Sequence, residues 1–235
     1  MKNLKLQSIF AFLMLLSSLR ILSQETGTFT DSRDGNIYST LTIGTQTWMA
    51  ENLKYLQSVV GPATGSQTNP YYYVYGYKGT VVADAKATAN YTTYGVLYNW
   101  PAAINGEASS TANPSGVQGI CPTDWHLPSD AEWTQLTDYL GGTSVAGGKL
   151  KETGTSHWSS PNTGATNEAG FTALPGGGRN YYGAFDYCCG HGRWWSATED
   201  GTDNAWYHYV YYLDSGVSRV SYYKELGFSI RCVRD

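Results

Sequence analysis

Apolar and polar positions alternate through NAWYHYVYYLDSGVSRVSYYKELGFSIRCVRD, residues 204–235, and the alternation breaks at Asp214-Ser215-Gly216 and at Lys224-Glu225. A period of two sends successive side chains to opposite faces of an extended strand, and the breaks carry turn-forming residues. The segment therefore predicts a three-strand antiparallel meander. In its last strand Phe228, Ile230 and Cys232 share one face while Ser229, Arg231 and Val233 take the other, which points Cys232 into the core.

The period changes in CPTDWHLPSDAEWTQLTDYLGG, residues 121–142, where Trp133, Leu136 and Leu140 fall at i, i+3 and i+7. That spacing makes one apolar stripe on a helix. Ser129, with Glu132 three residues on, is the capping-box pair, in which hydroxyl and carboxylate each satisfy a free backbone N–H; Gly141-Gly142 supplies the left-handed stop. Nearer the N-terminus, Asp34-Gly35 and Gly44-Thr45 flank a β-rich run from Ile37 to Ile43, which reads as a hairpin. Residues 57–93, with NPYYYVYGYKG, show no sustained helical period and predict a long, partly ordered surface region. A short strand over Tyr94 to Tyr98, a helical turn from Pro101 and a polar loop from Gly106 to Gly116 complete the pattern. Early and middle helices followed by antiparallel strands predict an α+β domain.

The opening MKNLKLQSIFAFLMLLSSLRILSQETG has a basic start at Lys2 and Lys5 and an apolar run from Ile9 to Leu16, cut short by Ser17, Ser18 and Arg20. A membrane span needs about 20 apolar residues, so residues 1–23 are expected to be a secretory signal peptide and 24–235 a single mature domain. No cysteine near the cleavage point offers a lipid anchor, and no second apolar span follows. The expected product has no transmembrane anchor and is secreted, periplasmic or on the cell surface of a bacterium.

Composition narrows the partners. A net charge of −4 with 14% charged residues leaves no basic field for a phosphate backbone, so nucleic acid is excluded. The chain holds 20 Tyr and 8 Trp against 6 Phe, an excess of rings with a polar edge that suit a wet surface as well as a core. Export favours disulfides for its 4 cysteines, Cys121, Cys188, Cys189 and Cys232. Adjacent cysteines rarely join each other, so geometry alone favours links crossing from Cys188 and Cys189 to the other two.

DGNIYSTLTIGTQTWMAENL, YGVLYNW, CPTDWHLPSDAEW, GGKLKETG, NEAGFTALPGGGR, WWSATE and GFSIRCVRD, taken in order, resemble the motifs of the Fibrobacter succinogenes major paralogous (FISUMP) domain over roughly Asp31 to Asp235. That resemblance implies an exported bacterial domain, often on surface proteins. LPSDAEW and GFSIRCVRD are more distantly similar to the formylglycine-generating (sulfatase-modifying) enzymes. The implied fold is C-type lectin-like: short helices packed on antiparallel strands with long loops, the terminal strand beside the N-terminal hairpin, and ligands bound by the loops between helices and late strands.

Within that frame Cys121, in the loop before the helix, is expected to pair with the core-facing Cys232, because an exported protein oxidises a core-adjacent pair; a redox nucleophile or copper thiolate is the alternative. The formylglycine-generating enzymes need two close cysteines in a Trp- and Tyr-rich segment, and WWSATEDGTDNAWYHYVYY has none. No catalytic residue is assigned. Cys188, Cys189 and His191 could bind zinc or copper but lack a fourth ligand at recognisable spacing, so a vicinal disulfide, an intermolecular one or no special role is expected ahead of a metal site. His126 reads as a hydrogen-bonded fold residue, and GGGRN at 176–180 as a tight turn rather than a phosphate cradle.

Arg179, Trp194, Trp195, Asp203, Asn204 and Trp206 are the expected ligand-binding residues, with the rule that adjacent Trp194 and Trp195 point to opposite sides, so at least one is core. Glu199, Asp200, Asp203 and Asn204 form an oxygen-rich loop that could hold calcium, although the Glu-Pro-Asn and Gln-Pro-Asp motifs of calcium-dependent lectins are absent. The expected function is a non-catalytic binding or adhesion module for extracellular glycan or protein, with no cofactor beyond calcium. The alternatives are an enzyme related to the formylglycine-generating oxidases and a purely structural assembly domain.

Overall fold

The computed structural model describes residues 25–235, and the expected signal peptide lies outside them. In chain order the elements are β1 Thr26–Thr30, β2 Ile37–Ile43, β3 Gln46–Met49, β4 Tyr72–Tyr73, α1 Val82–Lys86, α2 Ala89–Tyr94, β5 Leu97–Tyr98 and α3 Trp100–Ile104. There follow α4 Asp130–Tyr139, α5 Ala146–Leu150, β6 Gly178–Arg179, β7 Phe185–Asp186, β8 His191–Asp200, β9 Asn204–Tyr211, β10 Val217–Tyr223 and β11 Val233–Arg234. Short helices on antiparallel sheets make this an α+β fold.

The predicted hairpin is β2–β3, turning at Gly44, whose φ of 64° suits a residue without Cβ. β1 adds to one side of it and β11 to the other, giving the order β1-β2-β3-β11 with Val233 opposite Trp48. The terminal strand thus lies beside the N-terminal hairpin.

The terminal meander differs from the expectation in its third strand. β9 and β10 are as predicted, but their sheet is completed by β8, in the order β10-β9-β8. The closing segment leaves that sheet because both of its faces are needed inside. Phe228, Ile230 and Cys232 join one core with Trp195, Ala205 and Tyr207, while Val233 joins a second with Trp48, Trp133 and Trp194. Ser229 and Arg231, on the face read as polar, are only 2% and 1% exposed. Arg231 donates to Asn52 Oδ1 and to the carbonyls of Met49 and Phe171, and its guanidinium lies 4.1 Å from the Phe171 ring, so hydrogen bonds and an aromatic face replace water around a buried cation.

α4 has the predicted capping box, with Glu132 N donating to Ser129 Oγ and Ser129 N to Glu132 Oε2. Its stripe of Trp133, Leu136 and Leu140 sits in the second core. The region at 57–93 is more ordered than its composition suggested, because Tyr72, Tyr73 and Val74 are buried and the first two pair β4 with β5. Tyr94 ends α2 rather than starting a strand, and α3 begins at Trp100, capped by Asn99. Cys121 and Cys232 are joined, tying the loop before α4 to the closing segment, in place of the crossed links that adjacency alone favoured.

Candidate functional site

β8 runs between the two cores, and its neighbouring tryptophans divide between them. Trp194 Nε1 donates to Asn52 Oδ1 at 2.8 Å and Trp195 Nε1 to the Tyr98 carbonyl at 2.9 Å. The rule that at least one is core understates the result: both indoles are buried, and neither offers a face to a ligand. Arg179 is also buried. Its Nε donates to the Pro62 carbonyl and its Nη1 to that of Glu225, so it fastens two loops rather than reaching out. Trp206 is half-exposed, but the Arg219 guanidinium covers its ring at 3.4 Å.

The acidic loop between β8 and β9 has a cation of its own. Lys224, in the turn after β10, directs its ammonium to Glu199 Oε2 and to the carbonyls of Gly201 and Thr202. Asp200 and Asp203 are exposed beside it, and Asn204 Oδ1 is buried without a hydrogen-bond partner among the described residues. Of the residues read as calcium ligands, Glu199 thus turns its carboxylate to an ammonium.

What the fold does bring together is a tyrosine-rich depression of about 320 Å³ between the β6–β7 hairpin and the faces of β8, β9 and β10. The hairpin loop reverses at Gly183, φ 78°, and lifts Tyr181 and Tyr182 clear of the body with ring centroids 4.0 Å apart. Tyr182 is 78% exposed. Tyr222 and Tyr223, at the end of β10, stand 6.0 and 5.8 Å from Tyr181. Tyr207 and Phe228 contribute from the core side.

Polar groups border these rings. Asp186 Oδ2 accepts from Asn180 Nδ2 at 3.0 Å, and Arg193 Nη1 reaches Asp186 Oδ1 at 3.3 Å. The Arg193 guanidinium packs 4.3 Å from the Tyr187 ring, and its Nε has no partner among the described residues. His191, one turn of the pleat away, is held down to about 4 by burial and by Arg193, so its imidazole is neutral at ordinary pH.

The groove is lined by none of the six residues expected to bind a ligand: Asn180, Tyr181, Tyr182, Asp186, Tyr187 and Arg193 lie between or beside them in sequence, and Tyr207, Tyr222, Leu226 and Phe228 follow them. The doublets Tyr181-Tyr182 and Tyr222-Tyr223 were its visible signal; both sit at strand ends, where a doublet can leave two rings outside. Arg193 and Asp186 carried no local signal. Elsewhere, His126, Glu132 and Asp235 could bring ligand atoms within 4.8 Å of one another. There Glu132 already accepts from the Ser115 and Ser129 amides and meets His126 Nε2 at 2.6 Å, which makes His126 the hydrogen-bonded fold residue that was expected.

The family model described as the Fibrobacter succinogenes major domain matches residues 41–234. No curated protein matches the chain. No solved structure matches it either.

Proposed function

This chain belongs to the Fibrobacter succinogenes major domain family, and we propose that it works as a non-catalytic binding module of an exported protein, with a glycan held in the tyrosine groove. The observation that carries the reading is the exposed ring cluster of Tyr181, Tyr182, Tyr222 and Tyr223 beside Asn180, Asp186 and Arg193. Aromatic planes take the apolar face of a sugar ring, and a few fixed polar groups set the orientation of its hydroxyls. Glycoside hydrolysis needs two carboxylates across the scissile bond; among the described residues lining the groove there is one, Asp186, already engaged by Arg193 and Asn180. The lectin-like comparison belongs to this reading, supported by β11 lying beside β3 and by a ligand face built from late strands and loops. Export is supported by the Cys121–Cys232 disulfide, and no helix among the described residues is long and apolar enough to cross a membrane.

The test is a glycan array probed with the mature chain, with and without calcium, followed by titration of the best binder against Tyr182→Ala. Calcium-independent binding that weakens by about tenfold, roughly 1.4 kcal/mol, in the variant supports the site. Binding that survives the change intact places the ligand elsewhere. An array with no binder favours the assembly role.

A further inference from the structure

Cys188 and Cys189 occupy the turn between β7 and β8, both half-buried and unpaired, with Sγ atoms 3.5 Å apart. Neighbours on an extended chain would point to opposite sides. Here Tyr187 and Cys189 take φ of 58° and 67°, the left-handed region that L residues occupy only where the surroundings hold them there. The holding bonds are visible: Cys189 N donates to the Pro175 carbonyl, Ser159 N to the Cys189 carbonyl, and Gly190 N and His191 N to that of Tyr187. Burial and the nearby Cys188 and Cys189 thiols push the Tyr94 hydroxyl well above its ordinary value. Groove residues flank the turn, Asp186 and Tyr187 before it and Arg193 after it.

We propose that Cys188 and Cys189 form a reversible vicinal disulfide site, closed by a small-molecule disulfide and opened by a small-molecule thiol, and that closure resets Tyr187 at the rim of the groove. In the first step one protein thiolate attacks the small disulfide, forming a mixed disulfide and expelling one small thiol. In the second the neighbouring sulfur displaces the other small thiol. Two S–H bonds of the protein and one S–S bond of the oxidant become one S–S bond in the protein and two small thiols, so two electrons pass to the oxidant. The sulfurs must close from 3.5 Å to a bonding distance of about 2.05 Å, and the adjustment falls on a turn whose first residue packs its ring against Arg193. Burial and the neighbouring sulfur hold the Cys188 thiol up at about 11, so exchange is slow near neutrality and quickens with pH. The eight-membered ring is strained and within reach of solvent, whereas Cys121–Cys232 is fully buried, so a mild thiol opens the first and spares the second.

The site itself stands apart from the glycan reading; only its effect on ligand binding rests on it. The mature chain is incubated with oxidised glutathione, and its accessible thiols are counted by maleimide labelling under denaturing conditions. Expected is the loss of both labels, an intact mass lower by two hydrogens, no dimer, and return of both labels with reduced glutathione. Cys188→Ser and Cys189→Ser should each accumulate a mixed disulfide instead. Thiols that stay free, a stable glutathione adduct on the wild type, or a disulfide-linked dimer would overturn the site. For the coupling, the Tyr187 ring resonances should move on closure in the wild type and stay fixed when the double variant Cys188→Ser/Cys189→Ser, which can form neither the disulfide nor an adduct, is treated identically. Tyr187 signals unchanged by closure would overturn the coupling while leaving the site and the glycan reading standing.

Discussion

The ammonium of Lys224 lies 2.8 Å from Glu199 Oε2, with the carbonyls of Thr202 at 2.8 Å and Gly201 at 3.2 Å closing round it. The backbone N of the same lysine donates to the Asp203 carbonyl, and its ammonium lies 4.7 Å from the Trp100 ring. One residue thereby fixes the β8–β9 loop, the end of β10 and the start of α3.

Lys224→Met keeps much of the stem and removes the ammonium. Its loss leaves loop carbonyls and the Glu199 carboxylate without their donor, a cost on the order of 2 kcal/mol. Urea unfolding should show the midpoint falling accordingly. Millimolar calcium should leave the thermal midpoint of the wild type unchanged; a calcium-dependent rise would mean that the metal displaces the lysine.

Acid should loosen the contact of α4 with β9 and β10 in two stages. Asp130 is partly buried, which alone would raise its carboxyl, but hydrogen bonds from His208 and Arg219 outweigh this and hold it down to about 2 from 3.8. Its contribution, at most about 2 kcal/mol, is complete above pH 3.8 and lost as pH falls through 2. His208 is buried against Trp133, and that burial, opposed by Asp130, keeps it below its ordinary 6.5. A depressed histidine resists protonation in the fold, so stability first declines as pH drops below 6.5. Unfolding free energies measured across pH should show both declines, and His208→Gln should reduce the earlier one, the part due to His191, which is also held below 6.5, remaining.

Non-reducing peptide mapping should recover Cys121 linked to Cys232. The bond spans 111 residues of chain. Replacing both cysteines by alanine should destabilise by up to about 4.7 kcal/mol on the chain-entropy account. A loss below about 1 kcal/mol would mean that the unlinked chain already holds these segments together.

Tyr182→Ala should leave folding stability within about 0.5 kcal/mol, because the ring is largely in solvent, while weakening ligand binding. Trp206→Ala should do the reverse. Trp206 neighbours Tyr207 on β9 and so faces the opposite side of the sheet from the groove, where Arg219 covers it. Calorimetric titration of both variants with one ligand separates the two roles.

Sequence and structure agree where local chemistry decides. α4 was legible because a capping box, an apolar stripe and a glycine pair agree within one short segment. β9 and β10 were legible from alternation, but alternation says which side chains share a face and nothing about which strand lies alongside. Alternation alone therefore assigns the closing segment to the sheet of β9 and β10, whereas it pairs with β3. The Trp194-Trp195 step showed that the two rings diverge; it could not show that β8 has a core on each side. The groove was the least legible part, since Tyr181 meets Tyr222 only when the β6–β7 hairpin folds beside the end of β10. Lys224 looked like a turn residue because its acidic partners lie on another loop.

The segment from Phe228 to Val233 supplies side chains to both cores and a pairing partner to β3. Until it has emerged from the ribosome, neither core is complete, and Asn52 waits for Arg231, 179 residues further on, as β3 waits for β11. Native structure thus comes late and as one event, at a pace set by a long-range search. For a chain read as exported, this delay is useful: the topology keeps the domain threadable until the segment from Phe228 to Val233 has been made.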